Sequence, residues 1–321
     1  MTGWLQWGTD QIVALQTGGS LWLTQTMESF TFLGAELFYM LVMPAVLWCF
    51  SASLGVRLGL ALLISAGWNA VLKLAFTLPR PFWVDPRVGA LSVETSFGLP
   101  SGHAQNAVVL WGYLALQVRR WWATLAALFL ILAISFSRIY LGMHFPADVV
   151  AGWIVGGLIL GLFVLLERPI TRWLKRRALA SRILIAVLFS LGLLGLGWLA
   201  AQAAAGGQFP PEWAANFQRA LGGAIPFVPG SLEDIVAGAG ALMGFSVGAV
   251  LLDDWGRFTD GRGVWLRLAR FFVGLAGVMA LQLGLNALLP EGEAFRFARY
   301  ALLGFWISYG APRAFMAFGL G

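Results

Sequence analysis

Long apolar runs constrain this chain more than any other feature. A helix that crosses the hydrocarbon core of a bilayer needs about 20 predominantly apolar residues. Nine segments approach that pattern: 30–50, 54–76, 102–118, 121–138, 146–166, 181–202, 232–252, 268–289 and 297–318. Of the 321 residues, 59% are hydrophobic and only 11% are charged, with a mean hydropathy of +0.79. Soluble domains run at about 45–50% apolar and about 25% charged. A water-soluble fold of this size would lack the polar surface to cover itself. A soluble enzyme, a disordered chain and a disulfide scaffold are therefore excluded, and the fold class is all-α: a polytopic transmembrane helical bundle of about nine spans.

The remaining charges report sidedness. Fourteen of the 21 Lys and Arg residues fall in loops after odd-numbered spans or in the tail, from Arg57 through Arg119, Arg120 and the run Arg168–Arg182 to Arg257, Arg262, Arg267, Arg270 and Arg313. Such loops face the cytoplasm. The segments 77–101 and 139–145 and the N-terminus then face outward. The net charge of +6 reflects this bias and an attraction to anionic headgroups rather than nucleic acid. The lone Cys49, in an apolar run, excludes an internal disulfide. Residues 1–20 lack the basic start of a signal peptide, and Trp4, Trp7, Ile12, Val13 and Leu15 fit a helix lying in the interface. The expected organisation is an interfacial segment over 1–29, a six-span core over 30–202, and an extension of about three spans over 203–321. Gly152/Gly156, Gly157/Gly161 and Gly240/Gly244/Gly248 suit close helix packing.

Three polar clusters stand against this background, because charge near an apolar span is costly and usually functional. The first is Lys73-Leu-Ala-Phe-Thr-Leu-Pro-Arg80-Pro81. Seven residues are about two helical turns, which allows both cations one face; the plainer alternative is a snorkelling lysine and an interfacial anchor. The second is Pro100-Ser101-Gly102-His103, which opens the third span with an N-cap, a residue that lets a ligand approach, and a histidine beside the free N–H groups of a helix start. An ordinary capped helix is the plainer alternative. The third is Ser137-Arg138-Ile-Tyr140-Leu-Gly142-Met-His144-Phe-Pro146-Ala-Asp148, where His144 and Asp148 stand four apart, close enough for the carboxylate to fix the imidazole tautomer. The plainer alternative is an interfacial His–Asp pair. All three clusters fall on the outward side. Together they supply three fixed cations, a helix N-terminus and both histidines of the chain: a phosphate cradle with a nucleophile and a proton donor.

These residues, Lys-x6-Arg-Pro, then Pro-Ser-Gly-His, then Ser-Arg-x5-His-x3-Asp, resemble the three-part signature of the type-2 phosphatidic acid phosphatase superfamily at every signature position, from Lys73 to Asp148. The resemblance implies that His144 is the nucleophile of a phosphohistidine mechanism, with Asp148 as its orienting partner and His103 as the general acid. It implies phosphate binding by Lys73, Arg80, Ser101, Gly102 and Arg138, with no metal and no cofactor. The implied protein is an integral membrane enzyme of the bacterial inner-membrane type, its site facing the periplasm or outside.

A site open at the membrane surface suits a lipid phosphate or a polyprenyl diphosphate as substrate. The stretch Glu94-Thr-Ser-Phe97-Gly-Leu-Pro-Ser-Gly-His103, with Arg80-Pro-Phe-Trp83, is also similar to glucose-6-phosphatase and sphingosine phosphate phosphatases. Three alternatives stay open: transfer of the phosphoryl group to another lipid, action on a soluble sugar phosphate, and a non-catalytic lipid-handling protein, which would have no reason to keep His144 and Asp148. Elsewhere, Asp253, Asp254 and Arg257 read as a solvated loop, and Glu291, Glu293, Arg296 and Arg299 as an outer-loop cap.

Overall fold

A computed structural model describes residues 3–223, 225–256, 258 and 263–320; Arg257 and Arg262, counted above among the loop cations, lie outside the described residues. Every regular element among them is helical: α1 (Gly3–Thr17), α2 (Leu21–Phe32), α3 (Glu36–Ala45) running into a π-helical turn (Val46–Phe50), α4 (Ala52–Phe76), α5 (Pro81–Val84), α6 (Gly102–Val118), α7 (Trp121–Tyr140), α8 (Pro146–Lys175), α9 (Leu179–Ala205), α10 (Pro211–Ala220), α11 (Glu233–Trp255), α12 (Val264–Leu288), and α13 (Glu293–Phe305), which passes through a second π-helical turn (Trp306–Gly310) into α14 (Ala311–Ala317).

Six segments among the described residues are long and apolar enough to cross a membrane, or seven if the bent pair Leu21–Phe32 and Glu36–Phe50 is one span. Nine candidates therefore exceed what the helices support. The α6 helix has 17 residues, a rise of about 25 Å against a core of about 30 Å. The first candidate, 30–50, is broken by a 49° bend, and the last, 297–318, is interrupted by a π-helical turn. Only 17% of the most apolar stretch of α8, 17% of that of α9 and 11% of that of α12 is buried within the protein. Those exposed Leu, Ile and Phe side chains need lipid around them, so the chain is an integral membrane protein.

The chain forms two compact units: residues 1–38, 68–160 and 198–231 make the first, and residues 39–67, 161–197 and 232–321 the second. In the first, the core gathers Ile12 of α1, Phe82 and Trp83 of α5, Phe97, Tyr140, Phe145 and Phe217 of α10. The Trp83 ring meets those of Phe97, Trp213, Phe217 and Phe227. In this unit α8 packs hard on α6. A Cβ at Gly152 would lie 2.7 Å from the Ser101 carbonyl oxygen, and one at Gly156 2.6 Å from that of Gln105.

In the second unit, Gly240 and Gly244 of α11 face the carbonyls of Phe297 and Ala301 on α13, where no Cβ fits. The close packing expected of Gly240/Gly244/Gly248 and Gly152/Gly156 is present; Gly157 and Gly161 face open space instead. The two π-helical turns meet through Trp48, whose indole N–H donates to the Ile307 carbonyl at 2.9 Å. Asp253 and Asp254 continue α11 as its last turn rather than forming a loop, and Asp253 is paired with Lys175 and Arg182. Arg296 pairs with Glu233 and Arg299 donates to Asn286, so both tie helices together rather than cap a loop.

Candidate active site

The eight residues singled out above all lie in the first unit, and local chain geometry explains how each arrives. The α4 helix ends because Thr77 takes a left-handed φ of 52° with its N–H on the Lys73 carbonyl, and Pro79 and Pro81 forbid continuation. Lys73 thus sits in the last turn of α4, while Arg80 is an extended residue (φ −90°, ψ 157°) before α5. The two cations do not share a helix face, as their spacing suggested, because the helix stops between them. They converge instead on Ser96: the Lys73 ammonium donates to its hydroxyl at 2.9 Å, and the Arg80 guanidinium to the same hydroxyl at 3.3 Å and to its carbonyl at 2.6 Å. One turn before Lys73, the Asn69 amide donates to the Pro100 carbonyl and to Gln105, which docks α4 against the start of α6.

Ser101 occupies the N-cap of α6 but does not cap it; its hydroxyl is buried and has no hydrogen-bond partner among the described residues. That leaves the first N–H groups of α6 without a side-chain acceptor. The Ser101 N–H donates to the Asp148 carbonyl at 3.0 Å, which ties the start of α6 to that of α8. Gly98 allows the preceding loop to pass; a Cβ there would lie 2.6 Å from the Pro79 carbonyl oxygen and 3.2 Å from Asp148 Oδ2.

His144 lies two residues before α8 and not on its face, because Pro146 takes the first helical position and the residue before a proline is pushed out of the helical region. Asp148 Oδ2 accepts the Phe145 N–H at 2.9 Å and lies 3.4 Å from His144 Nδ1, an ion-pair distance without hydrogen-bond alignment. The other ring nitrogen, Nε2, is 3.3 Å from Arg80 Nη1. His144 and Asp148 are each essentially buried. Burial, then the charges of Arg80, Arg138 and Lys73, pull the His144 imidazole well below its ordinary value, so it is neutral at pH 7. His103 is within electrostatic reach of His144, Glu94 and Arg138.

Arg138, 1% exposed near the end of α7, donates to Thr31 Oγ1 at 2.8 Å and to Glu94 Oε1 at 2.5 Å; its Nε has no partner among the described residues. Arg80, fully buried, also donates to Glu94 Oε2 and to the carbonyls of Phe97 and Met143. Glu94 therefore bridges the two arginines. Burial pushes its carboxyl up, but the fields of Arg80, Arg138 and Lys73 outweigh that and hold it well below the usual carboxylate range. Motif and spacing assign no role to Glu94, Ser96 or Thr31. A signal for Glu94 exists nonetheless: it is the sole acidic residue between Asp85 and Asp148. Thr31 and Asn69 carry none, since they reach the site only through tertiary packing.

Residues 54–172 match the PAP2 superfamily model, and residues 236–321 match the PAP2 superfamily phosphatase transmembrane extension. The chain is similar to a probable sphingosine-1-phosphate phosphatase of Dictyostelium discoideum, 32% identical over 45% of this chain and 38% of that one. It is similar to an undecaprenyl-diphosphatase of Sulfolobus acidocaldarius, 33% identical over 36% of this chain and 55% of that one. It is also similar to human glucose-6-phosphatase 3, 29% identical over 55% of this chain and 60% of that one. The chain thus spans less than two thirds of the length of each of these relatives.

Proposed function

From the premise that the chain carries a PAP2 superfamily domain and its transmembrane extension, we propose that it is a membrane phosphatase that hydrolyses a lipid phosphate or polyprenyl diphosphate at the outer membrane face through a phosphohistidine intermediate. The observation that carries this reading is the position of His144 Nε2 beside the Arg80 guanidinium, with Lys73, Arg138 and the start of α6 in the same unit. A phosphoryl group held by those cations lies against a neutral imidazole whose far nitrogen faces a carboxylate.

The chemistry is a double displacement. The Nε2 lone pair of His144 attacks phosphorus, an N–P bond forms, and the P–O bond to the lipid breaks while His103 gives its proton to the departing oxygen. His103 then takes a proton from water, the water oxygen attacks phosphorus, and the N–P bond breaks to release inorganic phosphate. Asp148 holds the Nδ1 proton of His144, which leaves Nε2 free in the first step and stabilises the ring as positive charge develops. Lys73, Arg80, Arg138, Ser101 and the α6 N–H groups stabilise charge on the non-bridging oxygens, usually the largest single contribution to phosphoryl transfer. The bias of Lys and Arg toward the opposite loops supports the outward orientation. The similarity to glucose-6-phosphatase 3, which runs over the longest stretch of the three, supports a soluble sugar phosphate as the second substrate class.

The test is rapid quenching with radiolabelled phosphatidic acid in detergent micelles. The wild type should yield an acid-labile, base-stable phosphoprotein, and His144→Ala should yield neither phosphoprotein nor free phosphate. Normal turnover by that variant refutes the nucleophile assignment. Glucose 6-phosphate hydrolysis at a rate equal to the lipids would refute the lipid preference.

A further inference from the structure

The side chains that would hold a phosphoryl group are already engaged by one short segment of the chain. Residues Glu94 to Phe97 lie across the site between two backbone pins, Leu91 N–H to the Leu141 carbonyl and Gly98 N–H to the Leu78 carbonyl. From this segment the Glu94 carboxylate spans Arg80 and Arg138, one oxygen to each, and the Ser96 hydroxyl accepts from Lys73 and Arg80. A carboxylate with one oxygen on each of two guanidinium groups makes the contacts that a phosphoryl group would make there.

Two further observations separate Glu94 from an ordinary structural partner. The arginines are already positioned by neutral acceptors: Arg80 by the carbonyls of Ser96, Phe97 and Met143, and Arg138 by Thr31 Oγ1. What Glu94 adds is negative charge where the substrate's charge must go. Second, the Glu94 side chain is 22% exposed while those of Arg80 and Arg138 are 0% and 1% exposed. The Glu94 side chain thus reaches the surface, which the two arginines do not.

We propose that Glu94 is a tethered counter-anion, which neutralises the buried arginines between turnovers and is displaced outward by the incoming phosphoryl group, so that it sets the affinity of the site for phosphate-bearing ligands. This rests on the phosphatase reading above for its kinetic consequence but not for its binding consequence. No bond is made or broken; one oxyanion replaces another on the same donors.

The experiment compares wild type, Glu94→Gln and Glu94→Asp in detergent, with orthovanadate as the probe. Two quantities are read: the vanadate concentration at half-maximal thermal stabilisation, and KM against kcat for phosphatidic acid. Removing the competitor should lower both the vanadate midpoint and KM by about tenfold, the effect of freeing a binding-competent state populated at roughly one part in ten. Glu94→Asp keeps the charge but has a shorter reach, and should fall between. It also keeps the test decisive if Glu94→Gln does not fold, since an unchanged vanadate midpoint in the Asp variant then overturns the proposal. A raised midpoint, or a fall in kcat with KM intact, overturns it in favour of an arginine-positioning residue. Should the wild type release no phosphate while Glu94→Gln still lowers the vanadate midpoint, the phosphatase reading fails and the counter-anion stands. Normal wild-type turnover with an unchanged midpoint in both variants overturns the counter-anion and leaves the phosphatase reading intact.

Discussion

Replacing Asp148 with asparagine isolates what the carboxylate does for His144. Asparagine matches aspartate in shape, and its amide oxygen can keep the 2.9 Å bond from the Phe145 N–H. That same oxygen, at the Oδ2 position, is the one that faces His144 Nδ1, so the NH2 group takes the place of Oδ1 and the imidazole keeps its acceptor but loses the negative charge behind it. A neutral acceptor still favours the ring proton on Nδ1, but it no longer balances the positive charge that develops on the imidazole as Nε2 attacks phosphorus. In a Ser-His-Asp triad the same substitution lowers kcat about 10⁴-fold. There the loss comes from the wrong tautomer; here the amide oxygen keeps the acceptor toward Nδ1, at 3.4 Å and off-axis, so less is lost. The expected fall in kcat is about 10²- to 10³-fold, or about 3–4 kcal/mol on the barrier. Because the Phe145 bond survives, stability should change by no more than about 1 kcal/mol. Phosphate release from phosphatidic acid micelles measures the first quantity, thermal unfolding the second, and vanadate protection verifies an intact cradle. A folded Asp148→Asn protein that keeps more than a third of wild-type kcat would refute the role of the carboxylate's charge. One that loses vanadate binding in step with kcat would assign Asp148 to the architecture of the cradle.

Two further outcomes follow from the packing and from the charge state of the site. Gly152→Ala places a Cβ 2.7 Å from the Ser101 carbonyl oxygen and 3.2 Å from the Ala104 Cβ, so α8 must shift from α6. It should destabilise the protein by about 1–3 kcal/mol and lower activity through the Ser101–Asp148 tie, whereas Gly157→Ala, which meets nothing within 4 Å, should be neutral or stabilising; equal melting temperatures for the two variants would contradict the packing. For pH, the folded-state value of His144 lies below the ordinary 6.5, so the unfolded chain binds more protons in that interval and stability falls as pH drops below about 6.5. Glu94 acts in a lower window. Its folded value lies below the ordinary 4.5, so its contribution is intact above that value and is lost as pH falls further. Between pH 7 and 5 the melting temperature of His144→Gln should therefore fall less than that of the wild type; parallel curves would remove His144 as a contributor.

How much of the molecule is legible in the sequence depends on the range of the interaction involved. Hydropathy and capping locate α6 at its observed limits, Gly102–Val118, and α7 and α11 within a few residues, because an apolar run bounded by Ser, Gly or Arg is a local signal. The eight residues of the three clusters reach one unit because two helix starts, those of α6 and α8, are tied through Ser101 and Asp148. Spacing within a cluster is a poorer guide than the clusters themselves. It suggests that Lys73 with Arg80, and His144 with Asp148, pair on helix faces. Yet Pro79 and Pro146 place a helix end inside each pair, and in both cases a residue outside the helix makes the contacts. The span count fails for a related reason: hydropathy averages over the bend at residues 33–35 and the π-helical turn at 306–310, where backbone geometry changes while composition does not.

Least legible is the counter-charge. Three cations gathered in a desolvated site repel one another and must be neutralised when no substrate is bound, since an uncompensated buried charge costs several kcal/mol. That requirement alone demands an anion near Lys73, Arg80 and Arg138, and between Asp85 and Asp148 the chain offers only Glu94. Electrostatic neutrality, applied to the cations as a group, finds it where motif and periodicity do not.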